Sequence, residues 1–267
     1  MEEKKKRVFF ALEVVSPWPQ NLPAGRMLDE NHRHMTIAFL GWSDFSTLKN
    51  SLESFPLPPF KVGMAGKFDK CLFLPKRHPR VVAWHVEWID GAAAIQTFQK
   101  ALIAWLQFHN FQPDVRDLLP HVTICRAPFD RDGWEKNFTP LPMIINNIHL
   151  YESLGQLVYE PLWTYPLVPP FQEVDHTADL AFNIHGESLE QLQRHAFVAL
   201  AFKFPQILDF SSHLKHPNAL DDIVLGLNHV VALADSTIGC PFKAVSYHGD
   251  ITETEDGILT WEMIVDV

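Results

Sequence analysis

The chain has 267 residues, 47% of them apolar and 20% charged, with a net charge of −10 and three cysteines. That composition excludes a disordered tail, a disulfide-stapled miniprotein and a Cys-only zinc site, and its length exceeds one ordinary domain. The charge is uneven: 18 Lys and Arg meet 17 Asp and Glu up to residue 170, but only 4 meet 15 beyond it. The first part can approach a phosphate backbone, and the second repels one.

At the N-terminus RVFFALEV reads as a buried strand, because Glu13 interrupts the apolar run and no small-residue cleavage site follows, as a signal peptide would require. No apolar run approaches the roughly 20 residues of a membrane helix, so a soluble cytoplasmic protein with no membrane partner is expected. SDFSTLKNSLESF predicts a helix opened by Ser43 or Asp44, and PRVVAWHVEW alternates as a strand. Asp90 is then placed to cap a long helix whose Ile95, Phe98, Leu102 and Trp105 recur at helical spacing. PHVTICRA and INNIHLYESL give two more strands.

Composition breaks at YPLVPPFQEV, where three prolines exclude a helix or central strand, so the boundary falls between domains at 1–168 and 169–267. Beyond it come a strand at LAFNIHG, a helix capped by Ser188, a weaker amphipathic stretch at NALDDIVLGLNHVVAL, and two terminal strands paired around EDG.

One pattern occurs twice. HMTI at residue 34 returns 87 positions later as HVTI, with His121 and Thr123 where His34 and Thr36 stood. In a regular strand His34, Thr36 and Ala38 share one face and Met35, Ile37 and Phe39 the other. Two imidazoles facing one cleft supply a general base and a general acid, which suits an in-line displacement at phosphorus without a metal. A three-histidine zinc site from His32, His34 and His121 is weaker, since no carboxylate motif accompanies it.

HMTI and HVTI resemble the two motifs of the 2H phosphoesterase superfamily, and residues 7 to 167 are similar to its RNA 2′,3′-cyclic phosphodiesterase (LigT/ThpR-like) branch. Further landmarks are VFFALEV, FLG after the first motif, PRVVAWHVE and LYESLGQLVYEPLWTYPL. The resemblance implies an α+β, bilobal, duplicated fold with antiparallel sheets and flanking helices. It makes His34 and His121 the acid–base pair, with no cofactor, and Thr36, Thr123 and Arg126 the phosphate holders. By analogy His121 activates water and His34 protonates the leaving oxygen; Arg33 reads equally as a ligand or a solvated charge. The substrate implied is RNA with 2′,3′-cyclic phosphate ends, opened to a 2′-phosphate. A non-enzymatic RNA-end or ligase adaptor is the rival reading.

EVDHTADLAFNIHGESLEQL, with KAVSYHGD and a terminal VDV, resembles the archease family of small α+β proteins, partners of RtcB-type RNA ligases. That resemblance implies a calcium or magnesium ion held by Asp179, Asp266 and the terminal carboxylate of Val267, with His176 and Lys243 as lesser candidates, and a partnership with an RtcB-type ligase.

Overall fold

A computed structural model describes residues 5–175 and 179–267. The first unit contains β1 (Lys5–Val15), β2 (Arg26–Met27), β3 (His34–Asp44), α1 (Phe45–Ser51), β4 (Ala65–Leu74), β5 (Val81–Trp88), α2 (Ala92–Phe108), β6 (His121–Arg126), α3 (Arg131–Lys136), β7 (Leu141–Gly155) and β8 (Val158–Pro166). Its strands form one antiparallel sheet in the order β2-β6-β5-β4-β7-β1-β3, with β8 on β7. β3 and β6 stand near opposite ends of that path, yet they lie against each other. The sheet therefore curls until the two H-x-T strands meet across a cleft.

Strand β7 makes the curl possible. Its first residues pair with β4 through Leu141–Ile144, and its remainder pairs with β1 and β8. One long strand thus belongs to both lobes. The apolar face buries Phe10, Leu12, Met35, Val122, Ile124 and Ile148 against α2, whose Ile95, Phe98, Leu102 and Trp105 form the predicted buried stripe. Asp44 caps α1, accepting from the main-chain N–H groups of Ser46 and Thr47.

The second unit holds β9 (Phe171–Val174), β10 (Leu180–Gly186), α4 (Leu189–Lys203), α5 (Leu220–Ile238), β11 (Ala244–Glu253) and β12 (Leu259–Asp266). Its antiparallel sheet runs β11-β12-β10-β9, and Ser188 caps α4 through the Gln191 N–H. Both units together are mixed α+β with antiparallel sheets. No helix among the described residues is long and apolar enough to cross a membrane.

The expected cap at Asp90 is not made. Gly91 precedes α2 instead, with φ 71° and no side-chain cap bond, and an added Cβ there would fall 2.0 Å from the Met64 sulfur. Asp90 turns away to hold the two units together: it accepts from Ala65 N (2.6 Å), from Gln191 Nε2 (2.9 Å) and from His195 Nε2 (3.0 Å). His195 is fully buried, and its Nδ1 donates to the His185 carbonyl at 2.6 Å. Burial alone would raise the Asp90 carboxyl, but the attraction of His195 and the three hydrogen bonds outweigh it and hold it below the usual carboxylate value. The second core also takes in Ala65 and Ile144 of the first unit, so the contact is apolar around a polar centre.

Removing one partner of a buried pair strands the other, at a cost of about 3–5 kcal/mol. Asp90→Ala is expected to lower stability by that order, and Asp90→Leu combined with His195→Leu by clearly less. Urea denaturation of the two variants beside wild type checks this; equal losses would show that the pair is not coupled.

Candidate active site

The strands that carry the two motifs are not regular. On β3, Ala11 pairs with Thr36 and the next pair is Phe10 with Ala38, so Ile37 is an extra residue. On β6, Ala83 pairs with Thr123 and the next pair is Val82 with Cys125, so Ile124 is extra. The same residue of each H-x-T-I is bulged. An extra residue reverses the facing of everything after it.

This corrects the expectation that Phe39 faces the core and Ala38 the cleft. Ala38 is buried, whereas Phe39 lies on the cleft face, its ring centroid 6.4 Å from that of Phe9. Arg126 holds the same offset from His121 that Phe39 holds from His34, and it too is carried into the cleft. The carbonyls released from the ladder find other donors: Ile37 O accepts from Gln99 Nε2 of α2 at 3.3 Å, and Ile124 O from Leu28 N at 2.9 Å.

The cleft so formed has a volume of about 850 Å³ and is lined by all five residues expected there: His34, Thr36, His121, Thr123 and Arg126. Each imidazole is fixed alike. His34 Nδ1 donates to the His32 carbonyl at 2.6 Å and His121 Nδ1 to the Leu119 carbonyl at 2.7 Å. A carbonyl only accepts, so Nδ1 carries hydrogen in both rings and Nε2 is left for the cleft.

Their surroundings differ. His34 is enclosed by Phe9, Tyr151 and Tyr159, at centroid distances of 4.9, 5.4 and 4.8 Å. Burial pushes it down to about 4 against the raising effect of the His32 carbonyl, and the charges of His32, His121 and Arg126 push the same way. His121 is more open, and its cross-strand partner His85 is hydrogen-bonded to Asp69 at 2.5 Å. His34 is therefore neutral at pH 7.

Sequence reasoning missed several cleft residues. Arg7 and Phe9 come from β1, Tyr159 from β8, Gln99 from α2, and Arg26 from the two-residue strand β2 that pairs on the outer edge of β6. RVFFALEV was legible only as a buried strand, which does not show that Arg7 and Phe9 line a cleft. Arg33 is neither a ligand nor a solvated charge: it is 4% exposed, outside the cleft, with its guanidinium 4.4 Å from the Trp18 ring.

In the second unit the register Leu180 to Val265 and Ala244 to Asp266 brings the ends of three strands together, with Asp179 the residue before Leu180 and Asp266 the residue after Val265. Lys243 Nζ donates to Val267 O at 2.5 Å and lies 3.6 Å from Asp266 Oδ1. Among the described residues no group of three or more His, Cys, Asp or Glu is arranged to hold a metal ion. The Lys243 ammonium supplies positive charge beside Asp266 and Val267. His176 lies outside the described residues.

The lowered value of His34 has a consequence for stability. The fold favours the neutral ring, so its contribution is complete above the ordinary value of 6.5, declines as the pH falls, and is gone below about 4. His34→Gln removes this titration. Across that window wild type is expected to lose up to ~3 kcal/mol more than the variant, measured by urea unfolding at pH 7, 5.5 and 4. Parallel losses would show that His34 titrates normally.

No family model matches the chain. It is 27% identical over 164 residues to the RNA 2′,3′-cyclic phosphodiesterase of Thermotoga maritima, covering 57% of this chain and 81% of that protein. Among solved structures, E. coli LigT complexed with 3′-AMP is 19% identical, with coverage of 61% of this chain and 99% of that one and a TM-score of 0.44. A structure described as a phosphoesterase is 18% identical, with 62% and 99% covered and a TM-score of 0.44. Over more than half its length, this chain is thus similar in sequence to an RNA 2′,3′-cyclic phosphodiesterase.

Proposed function

We propose that residues 1–168 form a phosphodiesterase that hydrolyses the 2′,3′-cyclic phosphate end of RNA. The observation that carries this is the pairing of two imidazoles, each with Nδ1 tied to the carbonyl two residues back, across one cleft that also holds two threonines and Arg126. Binding alone needs no such pair, which sets the adaptor reading second. The similarity to the Thermotoga maritima enzyme supports the substrate class.

In this reading the cyclic phosphate sits between the strands, its non-bridging oxygens accepting from Thr36 and Thr123 hydroxyls and from Arg126. His121 Nε2 takes a proton from water as the water oxygen bonds to phosphorus. The bond from phosphorus to O3′ breaks on the opposite side, and the leaving oxygen takes a proton from His34 Nε2. The products are a 2′-phosphate and a 3′-hydroxyl, and the two rings return to their starting states through solvent. His34 must be charged for this step. Burial is the main force against that charge, and the charges of His32, His121 and Arg126 add to it; a bound phosphate anion works in the opposite direction.

A general acid or base contributes on the order of 10² to 10⁴ in rate. His34→Ala and His121→Ala are each expected to lose that much turnover of a cyclic-phosphate dinucleotide while staying folded, and wild type to keep its activity in EDTA. Loss in EDTA with recovery on adding zinc would overturn the mechanism.

For residues 169–267 we propose the partner that the archease resemblance suggests, an RtcB-type RNA ligase. The pairing of Lys243 with Asp266, at the strand ends next to which Asp179 stands in the chain, supports this reading. Calcium or magnesium at Asp179, Asp266 and Val267 would have to displace Lys243, so no step here is routed through a metal. Wild type is expected to accelerate guanylylation of such a ligase, and Asp179→Ala and Asp266→Ala to abolish the effect while phosphodiesterase activity persists. Absence of any acceleration by wild type would remove this half of the proposal.

A further inference from the structure

Strand β3 bulges a second time. Phe9 pairs with Phe39 and the next pair is Val8 with Gly41, leaving Leu40 extra, and Gly41 takes up φ 69° at the kink. The facing reverses again, so Trp42 returns to the side of the cleft. The cross-strand pairs on this face are Glu13 with His34, Ala11 with Thr36, Phe9 with Phe39, and Arg7 with Trp42. The first and last pairs lie six positions apart along β1. At about 3.4 Å per residue the stripe runs roughly 20 Å outward from the catalytic histidine.

The outer half of the stripe alternates aromatic rings with a cation. Phe39 is 37% exposed, and the Arg7 guanidinium lies 5.4 Å from the centre of its ring. Trp42 is 70% exposed, and among the described residues its indole has no ring contact or hydrogen bond. A single exposed apolar side chain needs no explanation. Here the largest side chain type lies in line with an exposed phenylalanine, an arginine and the catalytic histidine: the first bulge brings Phe39 to this face, and the second lets Trp42 share it.

We propose that this stripe is a track for single-stranded RNA, on which the nucleotides preceding the cyclic phosphate end stack first on Phe39 and then on Trp42, with Arg7 meeting a phosphate between them. The inference rests on the reading of the cleft given above. A cyclic phosphate closes the 3′ end of a strand, so all the remaining RNA leaves the cleft on its 5′ side and needs one path out. Stacked nucleotides advance about 3.4 Å each, so the stripe has room for more than one. Aromatic faces accept any base, and the track therefore selects for strand length and not for sequence.

The test compares kcat/KM on cyclic-phosphate RNAs of one, two, three and four nucleotides. Wild type is expected to prefer the trinucleotide to the mononucleotide, and Trp42→Ala to reduce that preference by about tenfold, the usual worth of one stacked base. Trp42→Tyr should restore most of it. Phe108→Ala, which removes an 81%-exposed aromatic from the end of α2, should leave the preference as in wild type. Anisotropy of a 5′-labelled RNA with a blocked, unreactive 3′ end reads affinity without turnover.

No length preference in wild type, or an unchanged preference in Trp42→Ala, overturns the track while leaving the proposed reaction standing. RNA affinity that depends on Trp42 in a protein that turns over no cyclic phosphate would do the reverse. Unchanged RNA affinity in Trp42→Ala together with a smaller particle by light scattering would assign Trp42 to a protein contact and refute the track.

Discussion

A regular strand turns every second side chain to the same face, so a histidine and the residue five positions after it point in opposite directions. The cleft depends on breaking that rule twice in the same place. Bulges at Ile37 and Ile124 keep the histidine and threonine of each motif on the cleft face and bring Phe39 and Arg126 to join them. Each bulge also frees a carbonyl, which is costly unless another donor reaches it. Gln99 and the main chain of Leu28 do so, and α2 and the segment before β3 are thereby tied to the strands that carry the chemistry.

The two lobes repeat the backbone and differ in what surrounds it. Both imidazoles present Nε2 because the carbonyl two residues back holds Nδ1. One lobe then packs three aromatic rings around its histidine, and the other sets its histidine beside the His85 and Asp69 pair. The equivalent offset after the motif is filled by a ring in one lobe and a guanidinium in the other. A reaction that needs one acid and one base, and a substrate with one phosphate end and one base end, is served by such an asymmetry better than by an exact repeat.

The second unit is fastened rather than tethered. Asp90 reaches into it from the residue before Gly91, at the start of the helix that supplies Gln99, and the three groups around its carboxylate come from both units. The linker is held too, with Gly63 donating to the Val168 carbonyl and Val168 to that of Lys61. Each partner of this buried pair is costly to bury in any other arrangement, so the pair favours this contact between the units.

Much of this was legible in the chain. Alternation marked the strands, the 3.6-residue recurrence of Ile95, Phe98, Leu102 and Trp105 marked the long helix, Ser188 marked a cap, and the repeated H-x-T marked the cleft residues. These features are written within a few consecutive residues, so the sequence by itself determines them. The facing of Phe39, the burial of Arg33, the diversion of Asp90 from its helix and the depression of His34 were decided only by the tertiary structure. A bulge exists only relative to the strand it pairs with, and a side chain is desolvated only by residues distant in the chain that cover it. No local window contains either partner.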